Sequence, residues 1–251
     1  MNYILQTYKD GVKTIKFNKP QRKNALSSDM YQALREILTE DAKNDKIVVT
    51  IITGTGDYFT SGNDLKSAMS NPEPKEVKLK LVQDMIEAFI AYPKLLIAVV
   101  NGRAIGIGAT VVALCDIVYA TDDAVFEAPF VEIGLCAEGC SSYTFPYILG
   151  RSKASEVLYL GHKLSAEEAL QFGLVSKIIP QAQLESFIAG LHKYGKIPVQ
   201  SLIINKALVM SNWKKGLSRS NAREFKQLGE CVDSEEFSNA VIAFMSRKSK
   251  L

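Results

Sequence analysis

The sequence predicts a mixed α/β fold, with a strand-containing core over residues 1–197 followed by a helical region over 198–251. Two observations carry this prediction. Apolar runs of strand length alternate with segments of helical periodicity through the core, and the strand signals disappear from about Pro198 onward. A chain of 251 residues is long enough to form one large domain, or one domain with an added helical piece.

The first predicted elements are a hairpin and a helix. Alternating residues over 3–8 and 12–18 flank the pair Asp10-Gly11, which favours a tight turn between antiparallel strands. After a polar loop, apolar residues recur at helical spacing over 30–38, behind serines suited to cap a helix.

Buried strands with an intervening helix come next. The apolar runs IVVTIITG (47–54) and LLIAVV (95–100) are typical of strands buried on both faces. An amphipathic helix is predicted between them over about 76–91, and further strands at 116–120 and 174–179. The order strand, loop, helix, strand therefore repeats through the core.

Capping patterns mark the later helices. Ser165 and Glu168 have the spacing of a capping box at the start of one helix, and Asp233 and Glu236 occupy capping positions at the start of the last. Three C-terminal helices are predicted, near 199–211, 217–230 and 234–247.

Composition argues against several classes of function. The net charge of +3 is spread without a basic stripe or interleaved aromatic residues, so no nucleic-acid partner is expected. No apolar run is long enough for a membrane span. The four cysteines, at positions 115, 136, 140 and 231, form no C-x-x-C pair and are expected to be reduced. Cys136 and Cys140 lack further ligands at a fitting spacing, so we expect no metal site.

The last three residues, Ser249-Lys250-Leu251, have the form of a peroxisomal targeting signal. They follow a polar, basic segment. We therefore expect recognition by the peroxisomal import receptor and a location in the peroxisomal matrix.

Two glycine-containing loops and one carboxylate are candidate functional features. The loops FTSGNDL (59–65) and NGRAIGIGATVVALCDI (101–117) each follow a buried strand, and their glycines either turn the chain or let the backbone approach a ligand. Glu138 stands just ahead of a predicted helix. It is either a charge favoured by the helix dipole or a carboxylate with a chemical task.

Five segments together resemble the enoyl-CoA hydratase/isomerase (crotonase) superfamily over essentially the whole chain: NKPQRKNALS, GDYFTSGNDL, IAVVNGRAIGIGATVVALCDIVYA, FEAPFVEIGL and AEEALQFGLVSKI. The resemblance implies a spiral of ββα units with a helical C-terminal trimerisation region. It also implies a homotrimer or a dimer of trimers, and an acyl-CoA thioester whose carbonyl oxygen is held by two backbone N–H groups. Asn63 and Ile107 stand at the positions of these donors.

The same resemblance separates the activities within the superfamily. The two glutamates of the hydratases are replaced by Thr110 and Phe130, which disfavours hydration. Glu138 matches the glutamate of the peroxisomal-type isomerases that convert 3-enoyl-CoA to 2-enoyl-CoA. A carboxylate with a raised pKa suits both proton transfers of this reaction. Glu132 and Glu156 are the fallback bases.

The coenzyme A side of the site is predicted from the same blocks. No cofactor is expected, because coenzyme A is part of the substrate. The residues expected to bind the substrate are Lys23, Asn24, Ala25, Leu26, Ser61, Gly62, Asp64, Leu65, Gly106 and Phe130.

Two other functions stay open. One is a non-catalytic acyl-CoA-binding or scaffold module, because chromodomain-linked proteins carry a similar domain. The other is a different reaction of the superfamily, which would need a second catalytic acid. Glu138 and the Ser-Lys-Leu ending favour the peroxisomal isomerase.

Overall fold

A computed structural model of the chain describes residues 3–65, 67 and 73–248. The predicted targeting residues Ser249, Lys250 and Leu251 lie outside the described residues. The strands, in chain order, are β1 (Ile4–Lys9), β2 (Val12–Phe17), β3 (Val49–Gly54), β4 (Tyr58–Thr60), β5 (Leu95–Val100), β6 (Arg103–Ile105), β7 (Ile117–Thr121), β8 (Val125–Glu127), β9 (Leu164–Ser165) and β10 (Lys177–Ile179).

The α-helices are labelled in the same way. They are α1 (Ser28–Ala42), α2 (Lys75–Ala91), α3 (Ile107–Val111), α4 (Ser141–Ile148), α5 (Arg151–Leu160), α6 (Ala166–Gln171), α7 (Leu184–Leu191), α8 (Val199–Met210), α9 (Lys214–Val232) and α10 (Glu235–Lys248). None of these described helices has the combination of length and apolar character that crossing a membrane requires.

The larger sheet has six strands in the order β1-β2-β3-β5-β7-β10. The predicted hairpin is confirmed, because β1 pairs antiparallel with β2 and both Asp10 and Gly11 have positive φ, as this kind of turn requires. The pairs from β2 onward are parallel. All six residues of β3 are buried, as expected for a parallel strand covered on both faces.

A smaller sheet, in the order β4-β6-β8-β9, was not predicted. Its strands are only two or three residues long, too short to show a periodicity. The strands β4, β6 and β8 directly follow β3, β5 and β7 of the larger sheet, and β4-β6 and β6-β8 are parallel neighbours. The chain segments that leave these three short strands therefore lie side by side.

Two local predictions were wrong. Only Lys177–Ile179 of the predicted strand 174–179 forms a strand, because the chain turns at Gly173 and the N–H of Val175 donates to the carbonyl of Ala169 in α6. The last helix is not capped by Asp233. The hydroxyl of Ser234 accepts the N–H of Phe237, at 3.1 Å. In contrast, the capping box of Ser165 and Glu168 is confirmed at α6.

Helix α9 is one of the attachments of the C-terminal helices to the core. On the α9 face that meets α2, the amide of Asn221 donates to the Gln83 carbonyl at 3.1 Å and to a Glu87 oxygen at 2.7 Å. Helix α8 differs, because it buries no residue and exposes Ile204, Leu208 and Val209. The division of the chain at 197/198 stays a prediction.

A buried asparagine fixes the loop that follows β2. Asn24 is fully buried in the left-handed conformation, and its side-chain amide donates to the carbonyls of Thr55 at 2.9 Å and Tyr58 at 2.7 Å. Its side-chain oxygen accepts the N–H of Lys19 at 2.9 Å. The amide therefore joins this loop to the segment between β3 and β4.

We predict that Asn24→Ala lowers the free energy of unfolding by about 2–4 kcal/mol, because buried backbone groups lose their partners. Chemical denaturation followed by circular dichroism measures this change. The control is Asn205→Ala on the exposed side of α8, which we expect to stay within about 0.5 kcal/mol of the parent. Equal stability of the two variants would contradict the structural role of Asn24.

Candidate active site

Glu138 is a buried carboxylate on the wall of a cavity. It lies in the loop between β8 and α4 and is only 3% exposed. The cavity has a volume of about 390 Å³. Its wall is mainly apolar and comes from several parts of the chain, including Leu26, Leu79, Val82, Leu135, Phe225, Leu228, Val232, Phe237 and Val241.

Two left-handed residues direct the chain from Glu138 into α4. Gly139 has a φ of 67° and Cys140 a φ of 63°. A Cβ atom at position 139 would lie 2.2 Å from the hydroxyl oxygen of Thr110, so only glycine fits there. The Glu138 carbonyl then accepts the hydroxyl of Ser141 at 2.7 Å. The close approach of Gly139 to Thr110 packs the Glu138 loop against α3.

A chain of hydrogen bonds reaches the carboxylate from α1. The side-chain amide of Asn63 donates to Oε1 of Glu138 at 3.3 Å, and the hydroxyl of Tyr31 donates to the amide oxygen of Asn63. Tyr31 is buried, and its burial and the nearby charges of Glu138 and Asp64 raise its pKa well above the ordinary value. Tyr31 therefore remains a neutral donor and fixes the orientation of the Asn63 amide.

Burial is the main influence on the charge of Glu138. Burial raises its pKa, the negative charge of Glu224 raises it further, and the hydrogen bond from Asn63 lowers it, for a pKa of about 7. A carboxyl group with this pKa exchanges its proton readily near neutral pH.

The two glycine-containing loops meet beside this carboxylate. A Cβ atom on Gly62 would lie 3.7 Å from the Cα of Gly106, and both glycines have positive φ. Each glycine precedes a predicted N–H donor, Asn63 or Ile107. Among the described residues, neither of these N–H groups has a hydrogen-bond acceptor. Two free backbone donors therefore follow adjacent strands of the smaller sheet.

The two positions that the family resemblance matches to the hydratase glutamates are buried. Thr110 is fully buried and donates its hydroxyl to the Ile107 carbonyl at 3.3 Å, and Phe130 is 3% exposed with its ring beside Gly106. The fallback bases lie elsewhere. Glu132 is exposed, and Glu156 is paired with Lys153. Neither of them lines the cavity of Glu138.

The predicted substrate-binding residues fall into two groups. Leu26, Asp64 and Leu65 line the cavity together with Asn63. The others lie around it in the adjoining loops: Lys23, Asn24, Ala25, Ser61, Gly62, Gly106 and Phe130. Their contact with a ligand stays a prediction.

Two of the predicted binding residues have internal partners. The ammonium of Lys23 lies 5.0 Å from the centre of the Tyr58 ring. Asp64 is buried, and its carboxylate accepts Lys19 at 3.1 Å and Arg22 at 3.2 Å. Burial acts to raise the pKa of Asp64, but the hydrogen bonds from Lys19 and Ser67 lower it below the ordinary value. Asp64 therefore stays ionised and is neutralised by its basic neighbours.

The sequence profile of the enoyl-CoA hydratase/isomerase family matches residues 7–250. The chain belongs to this family. Human enoyl-CoA delta isomerase 2 is 41% identical over 99% of the chain, which spans 64% of that relative's length. Mouse "Enoyl-CoA delta isomerase 3, peroxisomal" is 40% identical over 98% of the chain and 79% of its own length.

Family members with other names and a solved structure also match. Human chromodomain Y-like protein 2 is 32% identical over 90% of the chain and 46% of its own length. The crystal structure of an enoyl-CoA hydratase/isomerase from Pseudoalteromonas atlantica superimposes with a TM-score of 0.91, at 30% identity, over 98% of both chains. The family fold, including the C-terminal helices, is therefore confirmed.

The sequence analysis missed two residues near Glu138, namely Tyr31, which bonds Asn63, and Glu224, which bonds Cys140 and Ser142. Tyr31 falls on the apolar stripe of α1, and nothing in its pattern distinguishes it from a core residue. Glu224 carries a signal, because Leu217, Asn221, Glu224, Phe225 and Leu228 share the buried face of α9 and a carboxylate is unexpected there. As for metals, no suitable cluster of three or more His, Cys, Asp or Glu side chains occurs within the described ranges.

We predict that Glu138→Gln raises the free energy of unfolding by about 1–3 kcal/mol at pH 8, because the raised pKa makes the ionised form unfavourable in the folded state. The folded state holds the proton up to about pH 7, whereas the unfolded carboxyl loses it near 4.5. The gain should therefore be complete above about pH 7 and vanish below about pH 4.5. Thermal unfolding across this range measures it, and a gain independent of pH would contradict the assignment.

Proposed function

We propose that this chain is an isomerase that moves the double bond of a 3-enoyl-CoA to the trans-2 position. The observation that carries the proposal is the buried Glu138, with its pKa of about 7, on the wall of the apolar cavity. The two relatives named enoyl-CoA delta isomerase support it. The chain spans only part of the human relative, so the activity of the whole protein belongs to the proposal.

In the first step, the thioester carbonyl oxygen accepts the N–H groups of Asn63 and Ile107. Negative charge develops on this oxygen when a proton leaves C2, and preorganised backbone donors stabilise that charge. Ile107 is the first residue of α3, so its N–H cannot donate within its own helix.

Glu138 is the group that carries the proton. Its carboxylate removes a proton from C2 to give a dienolate, and the resulting carboxylic acid returns a proton at C4. The double bond then lies between C2 and C3. The amide of Asn63 holds one oxygen of Glu138 at 3.3 Å, while Tyr31 holds the amide. A pKa of about 7 lets the group act as base and then as acid.

The residues at two positions disfavour hydration. Adding water across a double bond uses a second acid or base, and the family resemblance matches the two hydratase glutamates to Thr110 and Phe130. Both are buried, and neither ionises near neutral pH. Transposition of the double bond needs only the one carboxylate.

The remaining expectations are part of the proposal. The acyl chain would occupy the apolar end of the cavity, and coenzyme A would lie along the loop of Lys23 to Leu26. The exposed apolar side chains of α8 suit an interface between subunits, which is consistent with a homotrimer or a dimer of trimers. A peroxisomal location agrees with the name of the mouse relative.

A second candidate function is an acyl-CoA-binding module without turnover. The similarity to human chromodomain Y-like protein 2 favours this alternative. Both candidates predict binding of acyl-CoA, and only the isomerase predicts conversion of 3-enoyl-CoA.

We predict that Glu138→Gln lowers kcat for 3-enoyl-CoA by at least about 100-fold, because glutamine cannot accept the proton from C2. A spectrophotometric assay of 2-enoyl-CoA formation measures the loss, and calorimetry checks that acyl-CoA still binds. Glu132→Gln is the matched control, because this carboxylate is exposed and outside the cavity. Near-parental turnover by folded Glu138→Gln would refute the mechanism, and an inactive parent that binds acyl-CoA would support the binding module.

For the oxyanion donors, we predict that Ile107→Pro lowers kcat by roughly 100-fold or more, because one N–H is lost. Proline is tolerated at the first position of a helix, so α3 should still form. Ile107→Ala also removes the buried side chain but keeps the N–H, and it should retain most of the turnover. Comparable losses in the two folded variants would count against the backbone donor at this position.

A further inference from the structure

Glu224 is a buried carboxylate outside the wall of the Glu138 cavity. It lies on α9 and is 5% exposed. One of its oxygens, Oε2, accepts the N–H of Cys140 at 2.7 Å, and the other, Oε1, accepts the N–H of Ser142 at 2.9 Å. Hydrogen bonds to an ionised acceptor are stronger than those between neutral groups. Both oxygens of Glu224 are therefore committed to the start of α4.

The two bonds hold the turn that places Glu138. Cys140 is two residues beyond Glu138 and has a positive φ, a conformation that a non-glycine residue adopts at some energetic cost. The Cys140 thiol also lies 3.5 Å from the Leu217 carbonyl of α9. The segment that follows the base is thus attached to a C-terminal helix that lies about 80 residues away in sequence.

We propose that Glu224 is a positioning residue for Glu138, acting by anchoring the Cys140–Ser142 turn and by adding a negative charge beside the base. This inference rests on the proposed role of Glu138. The structure supports two separable effects, one on the geometry of the loop and one on the proton affinity of the base.

Several neighbouring elements carry titratable groups near the pair. Burial raises the pKa of Tyr31 in α1 and of Cys136 in the Glu138 loop, and the charge of Glu138 raises both further. Burial also raises the pKa of Cys140, and the charges of Glu224 and of Glu87 in α2 raise it further. Asp64, Glu73, Lys75 and Lys78 line the same cavity as Glu138. Burial raises the pKa of Glu224 itself, and the hydrogen bonds from Ser142 and Cys140 oppose that rise. After burial, the charge of Glu224 is the largest influence that raises the pKa of Glu138.

Two substitutions separate anchoring from charge. Glu224→Asp keeps the charge but is one methylene too short to hold both N–H groups. It should lower kcat about 10-fold or more, leave KM within about threefold, and leave the acidic limb of the pH-rate profile in place. Glu224→Gln keeps the length, loses the charge and presents an amide N–H₂ to one donor. It should lower kcat and move the acidic limb to lower pH by about half a unit or more.

The experiment measures kcat, KM and the pH profile for 3-enoyl-CoA with both variants, the parent, Glu138→Gln and Glu230→Gln. Glu230 is an exposed carboxylate on the same helix, so its variant should match the parent in all three quantities. Near-ultraviolet circular dichroism checks each fold. The expected result is loss of kcat in both Glu224 variants, with a displaced acidic limb only in Glu224→Gln.

Other results overturn the proposal. Parental kcat in folded Glu224→Asp shows that the anchor is unnecessary, and this variant decides the matter if Glu224→Gln does not fold. An acidic limb that stays in place in folded Glu224→Gln removes the electrostatic role, and failure of both variants to fold assigns Glu224 to folding alone. An active Glu138→Gln would instead overturn the proposed function, so the two failures are distinguishable.

Discussion

The removal of one carboxylate from water is the constraint on which the candidate site depends. A buried ionised group is costly unless hydrogen bonds or charges compensate it. Among the described residues, the Glu138 carboxylate accepts a single side-chain hydrogen bond, from Asn63, and it has a like charge nearby in Glu224. The environment therefore favours the protonated form more than water does. Such an unfavourable group stays in place because the packing of the surrounding structure outweighs its cost.

The arrangement of strands explains how distant segments reach the same carboxylate. Strands β4, β6 and β8 each follow a strand of the larger sheet in the chain. In the smaller sheet, β6 pairs in parallel with both β4 and β8. The Asn63 loop, the Ile107 loop and the segment that leads to Glu138 are therefore brought together by register in the smaller sheet. Gly62 and Gly139 then allow contacts that a Cβ atom would prevent, and Gly106 adopts a positive φ that favours glycine.

Much of this fold could be predicted from local sequence patterns, whereas less of the candidate site could be predicted in that way. The strands of the larger sheet are long and apolar, and the Asp10-Gly11 turn has a specific chemistry, so both could be predicted. The strands of the smaller sheet are too short for periodicity. The positions of Asn63, Ile107 and Glu138 were predicted from resemblance to a family. Tyr31 could not be predicted, because its role depends on a contact with Asn63 from a different element, 32 residues along the chain.

Part of the apolar wall of the cavity comes from a different region of the chain than Glu138 and its hydrogen-bond partners. Glu138, Asn63 and Tyr31 belong to the core, whereas Phe225, Leu228, Val232, Phe237 and Val241 belong to the two last helices. These apolar side chains can change in size while Glu224, on one of the same helices, keeps its hydrogen bonds to Cys140 and Ser142. Natural variation or protein engineering at these five positions would therefore change the shape of the apolar cavity while the Glu138 carboxylate keeps its hydrogen bond from Asn63.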